Sequence, residues 1–293
     1  MVSFFSNLIN GLSLGSIYAI IAIGYTMVYG IAKMLNFAHG DIIMVGAYAA
    51  FTAVVTLGGP GWLGIVASVV VCTLLGIAIE KVAYKPLRKA GSPLAVLITA
   101  IGVSYLLENL ALLIFGSNPV MFTSLVPIDT IQIGEFSIPG ATVVSILVSV
   151  VLILLLQLFV NKTKPGQAML ACAQDRDAAS LMGISVNGTI SLTFAIGSAM
   201  AGIAGVLLCS TYPTLSPYTG AMPGIKAFVA AVFGGIGSIP GAMIGGLLLG
   251  VIEILSRAYI SSQLSDAIVF GVLIVVLLVK PTGIMGKKIQ EKV

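Results

Sequence analysis

Residues 140–160 read GATVVSILVSVVLILLLQLFV, twenty-one residues without a single charge. As an α-helix rising 1.5 Å per residue, this run is about 31 Å long, the thickness of a bilayer's hydrocarbon core. Apolar residues follow one another without alternating with polar ones, so the run is no barrel strand. It belongs in lipid. Runs of the same kind fall near 7–31, 37–57, 62–81, 94–115, 188–210, 223–237, 240–258 and 265–280. Charged residues make up 8% of the chain, against roughly 25% in ordinary globular proteins. Hydrophobic residues reach 58% and mean hydropathy is +1.14. Fourteen Lys and Arg with ten Asp and Glu cannot give a 293-residue fold a water-facing surface. The chain reads as an all-α, polytopic transmembrane helix bundle, a single membrane domain over 1–293 with about eight to nine spans. The run at 223–237 is short and ends in Gly234-Gly235-Ile236-Gly237, so a re-entrant or broken helix is expected there.

Basic residues orient the bundle. Lys33, the group Lys81, Lys85, Arg88 and Lys89, the group Lys162, Lys164 and Arg176, and the tail Lys280, Lys287, Lys288 and Lys292 fall in alternate loops. The loops near 58–61, 116–139, 211–222 and 259–264 hold no Lys or Arg. Positive charge stays cytoplasmic. The expected N-terminus is therefore outside and the C-terminus inside, which needs an odd number of crossings; nine satisfies it. No basic residue precedes Lys33, so the first run lacks the basic start of a cleavable signal and is expected to remain as a span. The outer loop 116–139, with its strand-like IDTIQIGEFSI, is expected to form a small ordered cap.

Several chemistries are poorly supplied. No phosphate-cradling loop exists: Gly286-Lys287-Lys288 lacks the upstream glycine and the hydroxyl residue. Gly235-Ile236-Gly237 meets Pro240 where a dinucleotide loop needs a third glycine. One histidine leaves no His-based metal cluster and no nucleophile triad. Cys72, Cys172 and Cys209 have no C-x-x-C spacing and read as packing residues. Basic residues are scattered between apolar runs and form no face for nucleic acid. No enzyme activity, cofactor or metal is expected.

The polar residues that remain are candidates for a path or for packing. Glu253 and Arg257, one helical turn apart, are placed to pair. For Lys226, anchoring at the membrane surface and function weigh equally. Glu108 lies inside the fourth run. Asn36 to Asp41 (NFAHGD) interrupts the apolar pattern, and helix capping by Asn36 or Asp41 outweighs ligand contact by Asn36 or His39. Gly11 and Gly15, Gly237 and Gly241, Gly241 and Gly245, and Gly246 and Gly250 are spaced for close helix crossings. Asn36, His39, Glu108, Gly237, Gly241 and Gly245 make up the expected path or packing set. The stretch 163–186 reads TKPGQAMLACAQDRDAASLMGISV, a turn followed by a short amphipathic helix ending at Gly183. It suits the surface of the bilayer or a socket in a soluble partner.

NFAHGDIIMVGAY at 36–48, DRDAASLMGI at 175–184, FAIGSAMAGIAGVL at 194–207 and KAFVAAVFGGIGSIPGAMIGGLLLG at 226–250 carry a resemblance. The chain resembles the inner-membrane permease subunits of branched-chain amino acid ABC importers, of the LivH type, along nearly its whole length. It departs at Leu170, where family members often have Arg. The resemblance implies a path for leucine, isoleucine, valine or related amino acids in a bacterial inner membrane. It also implies a second permease subunit (identical or paralogous), two cytoplasmic ATP-binding subunits and an extracytoplasmic substrate-binding protein. The segment 163–186 then becomes a coupling helix, with Asp175, Arg176, Ala179 and Gly183 as expected contacts of the ATPase. The alternative is an ion-coupled secondary transporter, which helix breaks and membrane carboxylates also suit.

Overall fold

The computed structural model describes residues 2–88, 93–123, 125, 129–133 and 136–286. Lys89, Pro127, Lys287, Lys288 and Lys292 lie outside the described residues. In lipid every backbone N–H must be bonded within its own segment, and the apolar runs fold accordingly. The helices are α1 (Val2–Ala32), α2 (His39–Phe51), α3 (Gly61–Ile79), α4 (Lys85–Leu87), α5 (Pro93–Phe115), α6 (Gly140–Lys162), α7 (Lys164–Gln174), α8 (Arg176–Leu181), α9 (Val186–Thr211), α10 (Ala221–Gly234), α11 (Ile239–Tyr259) and α12 (Ser265–Val279). Wider π turns at Thr52–Thr56 and Glu80–Tyr84 extend α2 and α3. Among the described residues seven helical segments have the length and apolarity to cross a membrane, and α10 and α12 are shorter.

Helix α1 is the axis of the bundle, with the residues from Ile17 to Ile23 fully buried. α11 runs antiparallel to it along a seam of small residues. A Cβ on Gly250 would sit 2.2 Å from the Gly15 Cα, and one on Gly246 would sit 2.5 Å from the Ala19 Cα. α10 and α11 form an equally tight hairpin. A Cβ on Gly245 would lie 2.1 Å from the Ala230 carbonyl oxygen, and one on Gly241 2.4 Å from that of Gly234. The turn between them needs φ of +108° at Gly235 and +93° at Gly237, which glycine adopts without steric cost. α9 packs on α1, α2 and α3, while α5 packs on α2. Leu113 and Ile114 of α5 and Leu278 and Val279 of α12 face outward, as lipid contact requires.

The two ends of the bundle differ. At one end, Phe4 of α1 stacks near Tyr259 of α11, ring centres 6.4 Å apart. There β1 (Val120–Met121) pairs antiparallel with β4 (Thr214–Leu215), and β2 (Ile131–Ile133) pairs with β3 (Phe136–Ile138). The strand-like reading thus appears, among the described residues, as the antiparallel β2–β3 pair. At the other, basic end, the chain after α12 returns to the α10–α11 turn: the Ile284 and Met285 amides donate to the Phe233 and Gly234 carbonyls, each at 2.9 Å.

The short 223–237 run is α10, fourteen residues and about 21 Å long, set off from α11 by the glycine turn and from α9 by a non-helical stretch. Two sequence-level expectations are revised. Neither Asn36 nor Asp41 caps α2, whose N-cap is Ala38 with no side-chain bond. Asn36 is drawn aside because its Oδ1 accepts from the Tyr84 hydroxyl at 2.9 Å. The stretch 163–186 holds two short helices and not one. Asp175 is extended (φ −154°, ψ 115°), and its Oδ1 caps α8 by accepting from the Asp177 and Ala178 amides at 2.9 and 3.0 Å.

Candidate functional site: a buried ion network and a basic end

Four helices bring charge together beneath the cap. Glu253 of α11 is fully buried. Its Oε1 accepts from Lys226 Nζ of α10 at 2.7 Å and from the Arg257 guanidinium one turn along α11. Its Oε2 accepts from the Tyr18 hydroxyl of α1 at 2.9 Å. Lys226 also holds the Asp266 carboxylate, at the start of α12, at 2.7 Å. Two carboxylates and two cations balance, which is how charges are tolerated at membrane depth. The Glu253–Arg257 spacing was legible in the sequence. Lys226 and Tyr18, 27 and 235 residues away from Glu253, were not linked to it. The α10–α11 hairpin supplies that link, since the approach of Gly245 to Ala230 sets Lys226 opposite Glu253.

Two cavities flank this network. One of about 260 Å³ is lined by Leu14, Tyr18, Leu208, Met222, Lys226 and Glu253, among others. A second of about 440 Å³ reaches Asn7, Asn10, Ser13, Thr142 and Ser210. Tyr212 and Arg257 line both.

The basic end carries a second network. Glu80, buried in the π turn after α3, pairs with Arg88 and accepts from the Ser191 hydroxyl at 2.6 Å. Sequence reading passed over Glu80 because it stood at the edge of an apolar run. Arg176 of α8 turns inward: its Nε and terminal nitrogen donate to the Ile31 carbonyl at the end of α1, at 3.2 and 2.7 Å. Lys33, Arg88 and Arg176 line a cavity of about 600 Å³. Burial, then the neighbouring Arg176 guanidinium, holds the Lys33 ammonium below its ordinary range.

The expected coupling residues divide. Ala179 is 4% exposed, so its side chain packs inside this chain and offers no surface to another. Asp175 caps α8, Arg176 anchors it, and Gly183 takes φ +82° with open space around it. The outward residues are Leu181 and Met182, at 89% and 81% exposure. Cys172, read from the sequence as a packing residue, is buried in α7 with Met169.

The path or packing set also divides. Gly241 and Gly245 lie in the α10–α11 seam, and Gly237 in its turn. His39 is buried against Gly24, with its ring 4.7 Å from that of Tyr25, which also meets Phe228 of α10. Asn36, bonded to Tyr84, lines a small space together with Tyr25 and Phe228. Glu108 is half-buried on α5 and takes no part in the Glu253 network.

The family described as "Branched-chain amino acid transport system / permease component" matches residues 7–277. The chain belongs to that family. The permease is 47% identical to the high-affinity branched-chain amino acid transport system permease protein LivH of Escherichia coli K12, over 99% of this chain and 98% of that one. It is 46% identical to the corresponding BraD of Pseudomonas aeruginosa, again over 99% and 98%. With a probable LivH of Methanocaldococcus jannaschii it shares 30% identity over 92% and 89%. It is thus a multi-pass membrane permease component of an ABC transport system.

Proposed function

We propose that the permease forms part of the membrane path of an ATP-driven importer for leucine, isoleucine, valine or related amino acids. Its basic end faces the cytoplasm and its cap faces outward, by the positive-inside rule. A second permease subunit, identical or paralogous, completes the path. Two separate ATPases dock at 163–186, and a substrate-binding protein delivers cargo at the cap. The likeness to LivH and BraD supports the cargo class.

The observation that carries the coupling role is the anchoring of α8. Its Arg176 grips the last turn of the central helix α1, while Leu181 and Met182 project from its far end. A partner that seats those two side chains moves α8, and through Arg176 it moves α1. Asp175, Ala179 and Gly183 act inside this lever by capping, packing and ending it. The buried carboxylates favour this reading over ion coupling, since Glu253 and Glu80 are both held in ion pairs.

The test is the double variant Leu181→Asp, Met182→Asp in the assembled transporter. Both side chains are exposed, so the subunit should fold and insert, while ATPase retention and uptake fall together. In the parent, uptake should stop on ATP depletion and survive a proton uncoupler. Parent-like uptake by the variant removes the lever, and uptake abolished by the uncoupler at constant ATP removes the importer.

A further inference from the structure

We infer that the 260 Å³ cavity beside Glu253 is a transient subsite for an α-amino acid zwitterion with an aliphatic side chain. The inference rests on the importer reading and adds a place where cargo is held. The first argument is the lining: Leu14, Leu208, Met222 and Pro223 supply apolar walls, while Lys226, Glu253 and Arg257 gather opposite charges. An apolar pocket with a few convergent polar groups is the ordinary form of a small-molecule site.

The second argument is charge bookkeeping. Glu253 and Asp266 balance Lys226 and Arg257, so an added cation or anion would leave one buried charge unpaired. A zwitterion adds none. Its ammonium takes a place on Glu253 as its carboxylate takes one on Lys226 or Arg257, and every charge keeps a partner. The third argument is access. The Arg257 side chain is 38% exposed and that of Asp266 42%, while that of Glu253 is fully buried, so the two outer members are the ones free to exchange partners. Arg257 lines both cavities with Tyr212, so its exchange reaches both.

The test uses the assembled transporter in lipid vesicles, in a background lacking Cys72, Cys172 and Cys209. Uptake of leucine by this parent is checked first; its absence sinks the importer reading and leaves the subsite aside. Met222→Cys, exposed at the cavity rim, is then labelled with an impermeant maleimide. Millimolar leucine should slow labelling severalfold, whereas leucinamide (no carboxylate) and 4-methylpentanoate (no ammonium) should not. Asp129→Cys in the cap should label at one rate throughout. Equal protection by all three compounds, or by none, overturns the subsite. Met222→Trp fills the cavity while leaving every ion-paired residue in the chain, and should lower uptake about tenfold while ATP hydrolysis persists. Parent-like uptake by Met222→Trp overturns the subsite as well.

Discussion

Substituting Gly250 by Ala adds one methyl group where α1 and α11 cross. That Cβ would lie 2.2 Å from both the Cα and the amide nitrogen of Gly15, backbone atoms that no rotamer change can move. Carbon atoms pack best at about 3.5–4.0 Å, so the helices must part by about 1.3 Å at this point. A gap of about 0.5–1 Å already forfeits a quarter to a half of each facing contact, so this one forfeits at least that much. If the crossing carries as many contacts as one buried leucine, roughly 40–60 at ~0.15 kcal/mol, the loss is about 2–4 kcal/mol. Alanine's higher helix propensity returns about 1 kcal/mol. The net cost is about 1–3 kcal/mol, a fall in melting temperature of about 2–5 °C for a chain of 293 residues. The control is Gly271→Ala on α12, where an added Cβ meets nothing within 4 Å; it should match or slightly exceed the parent. Cys72, Cys172 and Cys209 are all buried, so a thiol-reactive fluorophore reports unfolding of the detergent-solubilised protein. If Gly250→Ala melts at or above Gly271→Ala, the seam tolerates an extra methyl and the close-packing argument fails.

Gly241→Leu and Gly245→Leu should each prevent the α10–α11 hairpin from closing and so lower both assembly and uptake; normal uptake at normal expression contradicts this. Ala179→Trp, which forces a large ring into a buried site, should lower the melting temperature, whereas Leu181→Asp should leave it within about 1 °C of the parent, as surface substitutions usually do. Because Lys33 binds its proton less tightly folded than unfolded, stability should rise with pH toward the ordinary lysine value of about 10.4, and Lys33→Met should flatten that rise in alkaline melting curves. For topology, Asp129→Cys in the Cys-free background should react with an impermeant maleimide from outside; labelling from the cytoplasmic side alone reverses the orientation.

The sequence by itself determined the class of solvent, the rough position of the apolar helices, the separation of a basic end from a cap, and the family. Each is a property of a run of residues, and membrane insertion acts on runs: twenty apolar residues in a row become a helix in lipid whatever their neighbours do. The Glu253–Arg257 pair was legible for the same reason, since four residues along a helix is a local distance. Tertiary structure alone decided that Lys226 and Tyr18 complete that pair, because antiparallel packing of α10 and α1 on α11 makes neighbours of residues far apart in the chain. It also decided which way α8 faces. Periodicity shows that a helix this short has two sides, but not which side meets α1 and which meets solvent. Ala179 is therefore inside and Leu181 outside, an assignment set by the Arg176 grip on Ile31 and by the extended backbone at Asp175.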